Sequence, residues 1–207
     1  MYSMSRADLI ADLKASLQDA ARVFTATADA DFIRHLDTAA LDMSRKRPRT
    51  LLGTLILEAE VFDYPAPADF YIYKSALWGV SARRIQAWDK RYPGRLPDVS
   101  GVLNGSIREI HLLPAPSAHQ INVLGSSFKF YYYAVHSIGD AAAETTIQIA
   151  DRGLLLLRAQ AEAMKEMSMR NIGKPVTMRD GISNGPRNGT PQYLYEQLMK
   201  IFEREAS

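Results

Sequence analysis

The 207-residue chain contains no cysteine. That absence excludes a disulfide framework, thiolate metal sites and thiol nucleophiles, and it fits a protein made and used in a reducing compartment. Net charge is also scarce. The chain has 25 Lys and Arg against 23 Asp and Glu, leaving +2, too little by itself to point to a nucleic-acid binder. Long apolar runs are missing: residues 154–157 are among the longest, far short of a bilayer span. No apolar stretch follows the first charges as a secretory signal requires. There is no G-x-x-x-x-G-K-[ST] loop and no G-x-G-x-x-G after a strand, so nucleotide binding has no support.

What remains is ordinary globular material. Hydrophobic residues make up 47% and charged residues 23%, a balance that argues against disorder across the whole chain. The length suits one domain or two small ones and is enough to bury a core without staples. The charges are unevenly spread. Acids crowd the start (Asp8, Asp12, Asp19, Asp29, Asp31, Asp37 and Asp42), followed by a basic knot of Arg45, Lys46, Arg47 and Arg49. A second basic stretch holds Arg83, Arg84, Lys90, Arg91 and Arg95.

The N-terminal residues read as helix. Leu9, Leu13, Leu17, Ala20 and Phe24 recur at three- and four-residue spacing, and Ser5 followed by Asp8 approximates a capping pattern. Asp29 or Asp31 can cap a second helix, whose apolar face is Phe32, Leu36, Ala39, Ala40 and Met43. Pro48 ends it, since a residue before proline is pushed out of the α region. The basic residues just before Pro48 sit where a helix C-terminus favours positive charge.

From residue 50 the period falls to two. Residues 50–62 read as a strand, and 64–69 (Tyr-Pro-Ala-Pro-Ala-Asp) as a connector. Residues 70–80 fit a strand or a short helix. Asn104-Gly105 signals a hairpin joining 99–103 to 107–113. Residues 120–124 and 128–135 are expected to be a further strand pair around Gly125. Helix returns near Asp140, runs long through Leu154, Leu157, Ala161 and Met164, and stops at Gly173 before Pro175. Residues 173–190 are rich in Gly, Asn, Pro and Arg and read as a long loop. Thr190 as N-cap and Pro191 at the first helical position open a short final helix. The expectation is an α+β fold: a helical bundle from both chain ends (1–49 and 139–207) with an inserted antiparallel β domain (50–138).

Few constellations carry chemistry. Gly181-Ile182-Ser183-Asn184-Gly185 matches the G-x-S-x-G nucleophile elbow, but Pro186 follows it and His35, His111, His119 and His136 all lie upstream. Turn chemistry explains it better. No histidine pair has i, i+4 spacing, so no metal is expected. Glu162 and Glu166 share a helix face and read as a solvated face rather than an acid–base couple. Asn104-Gly-Ser and Asn188-Gly-Thr match the glycosylation sequon and read as turns. Along 128–133, alternation puts Phe128, Phe130 and Tyr132 on one face and Tyr131 and Tyr133 on the other, which fits sheet packing better than base stacking. Arg83, Arg84, Trp88, Lys90, Arg91 and Arg95 form an exposed aromatic-and-arginine stretch, suited to a protein interface or to phosphate contact.

Three stretches together carry a resemblance. In 29–69 a capped helix ends in Arg-Pro-Arg-Thr-Leu and a strand runs into Tyr-Pro-Ala-Pro-Ala-Asp. Residues 130–134 read Phe-Tyr-Tyr-Tyr-Ala. The third stretch comprises 153–171, Lys174-Pro-Val-Thr-Met-Arg-Asp-Gly, Asn188-Gly-Thr-Pro and the 195–202 helix. Over most of its length the chain resembles the head–tail connector (adaptor) proteins of tailed bacteriophages and prophages. The resemblance implies a structural protein of the virion neck, made in the bacterial host cytoplasm. It implies a ring of this chain, usually of twelve subunits, that sits under the portal protein, extends the DNA channel and docks the next neck or tail protein. It implies no enzymatic activity, no cofactor, no membrane, and only non-specific proximity to packaged DNA.

By position, the portal-binding segment is 173–207, with Arg179, Arg187, Tyr193, Leu194, Leu198, Ile201 and Phe202 as candidate contacts. A short apolar helix after a long loop can order on docking, or it can return to the helical core. The 83–95 residues named above are the candidate interface or DNA-channel group. Two alternatives stand beside this. One is a DNA-binding regulator using the basic stretches at 45–49 and 83–95. The other is an enzyme whose site is assembled from distant residues with displaced pKa values.

Overall fold

The computed structural model describes residues 4–80, 85–170 and 190–206. The helices are α1 (Arg6–Leu17), α2 (Ala30–Lys46), α3 (Ala118–Leu124), α4 (Arg152–Arg170) and α5 (Pro191–Glu205). The strands are β1 (Arg49–Ile56), β2 (Asp63–Pro65), β3 (Phe70–Ala76), β4 (Asp98–Asn104), β5 (Ile107–Leu113) and β6 (Ser127–Ala134). The fold is α+β, with helices from both chain ends and the strands between them. It divides into a helical unit, Met1–Arg47 with His136–Ser207, and a β unit, Pro48–Val135. The divisions fall at 47/48 and 135/136 rather than at 49/50 and 138/139, because the ladder of β1 with β6 already begins at the Arg49–Ala134 pair. Among the described residues no helix is long and apolar enough to cross a membrane.

The helical unit follows its apolar periodicity. Ser5 caps α1, its hydroxyl accepting from the Asp8 backbone N–H, and Leu9, Ile10, Leu13 and Leu17 are buried. Asp29 precedes α2 in the left-handed region and makes no side-chain cap. It pairs with Lys14 at 2.6 Å instead. The α2 stripe of Phe32, Leu36, Ala39, Ala40 and Met43 is buried, and the helix ends at Lys46, two residues before Pro48. These stripes pack with Leu154, Leu155, Ala159, Ala163 and Met164 of α4 and with Phe202 and Ala206 at the end of the chain. Buried polar groups tie the core down: the Ser44 hydroxyl donates to the Ala40 carbonyl and accepts from the His136 backbone N–H, both at 2.8 Å.

The β unit holds two three-stranded antiparallel sheets, ordered β1-β6-β3 and β2-β5-β4. Strand alternation sends Phe128, Phe130 and Tyr132 inward, where successive rings lie 5.7 Å apart. They meet Phe70, Trp78, Ile110 and Leu112 in one core. Gly53 lies opposite Phe130, and a Cβ there would fall 2.5 Å from that ring, so only glycine leaves it room. Burial, and then its hydrogen bond to Asp69, push the Tyr132 hydroxyl up to about 12.

Two local expectations are corrected. Residues 120–124 lie in helix α3, not in a strand. A reciprocal capping box decides it: the Ser117 hydroxyl accepts from the Gln120 N–H, and the Gln120 side chain accepts from the Ser117 N–H at 2.9 Å. The strand expected over 50–62 stops at Ile56; Glu60 takes φ 63, and 63–65, of which 64 and 65 were expected in the connector, pairs as β2 with β5.

Candidate interaction surfaces

The second basic stretch is only partly described, since Arg83 and Arg84 lie outside the described residues. Trp88 is 83% exposed. Beside it, Arg91 bonds Asp89 through its backbone N–H and its guanidinium, at 2.8 and 2.9 Å. The Arg91 side-chain bond, with help from the backbone, holds the Asp89 carboxyl down at about 2. Arg95 pairs with Asp98 at 2.7 Å. Helix α3 fastens the loop, with Gln120 donating to the Arg95 carbonyl and His119 on the Tyr92 carbonyl. Lys90 is exposed.

The first basic knot is likewise matched. Arg45 pairs with Asp42, Arg47 with Asp151 and Arg49 with Asp69, at 2.9 to 3.1 Å. Every arginine described in the two stretches therefore faces a carboxylate of its own chain, which weakens either stretch as a phosphate track.

Of the C-terminal candidates, Arg179 and Arg187 lie outside the described residues, as does the Gly181–Gly185 motif. Helix α5 packs on α4 within the helical unit. Phe202 is 1% exposed in that core, so it is a packing residue and not a surface contact. Tyr193, Leu198 and Ile201 are half-buried, while Leu194 is 39% exposed and points outward.

The reading of Glu162 and Glu166 as a solvated face is corrected too. Both turn into an ion-pair layer between α2 and α4. Arg158, 5% exposed, bonds Asp42 and Glu162, and Lys165 also reaches Glu162 at 3.0 Å. Glu166 accepts from Arg34, the buried His35 and Arg170. Burial alone would raise the Glu166 carboxyl, but the hydrogen bonds from His35, Arg34 and Arg170 outweigh it and hold it at about 2. Asp31 and Glu162 are also lowered, against burial, by bonds from Arg34 to the one and from Lys165 and Arg158 to the other. All these carboxyls are pushed toward the ionised form, the opposite of what a general acid needs.

The histidines are each engaged by protein: His35 by Glu166, His111 by Asp63, His119 by the Tyr92 carbonyl and His136 by the Arg47 carbonyl. Among the described residues no cluster of three or more potential ligands could hold a metal. An open groove of about 440 Å³ between β3 and β4 is lined by Phe70, Tyr73, Val99, Leu103 and Arg108. Its guanidinium is already engaged by the Phe70 carbonyl.

Sequence reasoning missed the outer faces of the two sheets. On the first, Leu52 (52% exposed) lies opposite Tyr131, and Ile72 (50%) opposite Tyr133, with Ile56 (65%) at the strand end. On the second, Leu113 (58%) lies opposite Asp98 and Ile107 (60%) opposite Asn104. The doublets Leu51-Leu52 and Leu55-Ile56 hid the first face, because both of their alternating sets are apolar. No protein-family model matches the sequence, and no curated protein matches it.

Proposed function

We propose that this chain is a structural head–tail adaptor of a tailed bacteriophage. It forms a ring beneath the portal, prolongs the DNA channel and docks the next neck or tail protein. The sequence resemblance supplies the identity of the role. The observation that supports it most directly is where the surface apolar residues lie. Leu52, Ile56, Ile72, Ile107 and Leu113 are each at least half exposed on two small sheets, and Trp88 is exposed in a loop of the same unit. Exposed apolar residues gathered on a sheet face are contact material. The displaced carboxylates of the helical unit, by contrast, are engaged in ion pairs that hold helices together.

The DNA-binding regulator is the weaker reading, because the described arginines of its two basic stretches are matched by Asp42, Asp69, Asp89, Asp98 and Asp151. Disrupting the gene in its phage tests the role. The adaptor reading expects heads that package DNA but lose it, alongside unattached tails, with rescue by the intact chain in trans. Normal tailed particles, or a defect in transcription instead, would contradict it.

A further inference from the structure

We propose that the two outer sheet faces of the β unit bind each other across copies of this chain, the basic face of one copy on the acidic face of the next. The first face is that of the β1-β6-β3 sheet. Alternation places Thr50, Leu52, Thr54 and Ile56 of β1 outward, beside Lys129, Tyr131 and Tyr133 of β6. Ile72 and Lys74 of β3 complete it. Lys74 lies 4.9 Å from the Tyr133 ring centroid and 3.3 Å from the Thr50 hydroxyl. Its two charges are Lys74 and Lys129, both exposed and, among the described residues, neither in an ion pair. No carboxylate stands at these outward positions.

The second face is that of the β2-β5-β4 sheet. The pairs Asp98–Leu113, Ser100–His111, Val102–Glu109 and Asn104–Ile107 point outward, and Asp63 adds a further carboxylate beside His111. Phe62 stacks on His111 at 6.2 Å and is 43% exposed. Arg95 matches Asp98 from the preceding loop, whereas among the described residues Glu109 and Asp63 meet Asn104 and His111 rather than an arginine or lysine. One face is thus apolar with lysines, and the other apolar with carboxylates. Complementary charge around apolar centres is what selects one partner and one register.

The two faces are different surfaces of one chain, so the contact is head-to-tail. Such a contact does not end at a dimer. It closes into a ring when the rotation allows and otherwise continues as a filament. The inference deepens the ring-forming reading and rests on it for closure, but the contact itself rests on the two faces alone.

The absence of cysteine supplies the test. Leu52→Cys and Leu113→Cys, each in the full chain, carry a single thiol apiece. Treated together with a short bismaleimide, they are expected to give a mixed cross-linked dimer, with about tenfold less product from either variant alone. One chain carrying both substitutions is expected to give a ladder of multimers. Reversing one face, by Lys74→Glu with Lys129→Glu or by Asp63→Lys with Glu109→Lys, is expected to cut the mixed product by about tenfold. Combining the two reversed faces restores it, which also shows that the variants fold.

A mixed product no stronger than the homotypic ones, or one indifferent to charge reversal, would overturn the proposal. Oligothymidylate binding that Lys74→Glu/Lys129→Glu abolishes, with no mixed product, would assign the basic face to nucleic acid and overturn it as well. Cross-linking within rings bound to the portal separates the two readings. Rings without the mixed product would sink this contact and leave the adaptor standing. Mixed product without portal binding would do the reverse.

Discussion

Glu166 accepts hydrogen bonds from three cationic or polar partners on two helices, and its folded pKa of about 2 lies below the ordinary 4.5. Its stabilising contribution is therefore complete above about 4.5 and is lost as the pH falls from there toward 2. Asp31, also lowered, acts in the same direction. Thermal midpoints followed across that acid range should fall. Glu166→Gln should lower the midpoint at neutral pH and flatten the acid slope. An unchanged slope in that variant would place the acid sensitivity elsewhere.

In the β unit, Gly53 faces the ring of Phe130. Gly53→Val should cost about 1–3 kcal/mol through overpacking, while Thr54→Val, on the outer face, should stay within about 0.5 kcal/mol. Denaturant titration of the two variants checks the contrast. The role of Gly53 follows from strand alternation once the register is known. The partners of Glu166 do not, because an i, i+4 carboxylate pair looks the same in sequence whether it faces water or a neighbouring helix.

At the scale of elements, local rules read the helices well. Ser5 and Pro48 bound α1 and α2 where capping and proline chemistry put them, and Thr190-Pro191 opens α5. Alternation likewise separated Phe128, Phe130 and Tyr132 from Tyr131 and Tyr133 along β6. The hairpin of β4 and β5 turns at Asn104-Gly105 as the dipeptide requires. Helix α3 was legible too, in the Ser117-x-x-Gln120 box, but a short apolar segment before a strand satisfies either period. Ser117→Ala should remove that cap at a cost of about 0.5–2 kcal/mol.

What neither period could tell is where α5 lies. An amphipathic helix after a long loop can cover its own core or a partner's, and the choice depends on the shape of α4. The burial of Phe202 gives the element a structural share. Phe202→Ala should cost about 3–5 kcal/mol, whereas Leu194→Ala, half-open to solvent, should change stability little and be free to report on a partner. Equal effects of the two on folding would contradict this packing.

For the whole molecule, the helical unit is held by apolar stripes and ion pairs between α2 and α4, and the β unit carries two unlike outer faces. Fold class was readable from the order of periodicities. The two outer faces were not, because their residues come from three strands each and only the register brings them together. The central claim, a ring stacked on a portal, is tested most directly by electron microscopy of the full chain mixed with the portal ring encoded alongside it. The account expects a second, coaxial ring on the portal, weakened when Lys74 and Lys129 are both reversed to glutamate. Portal rings that remain bare at every concentration, while the free chain binds duplex DNA in a salt-sensitive way, would contradict it.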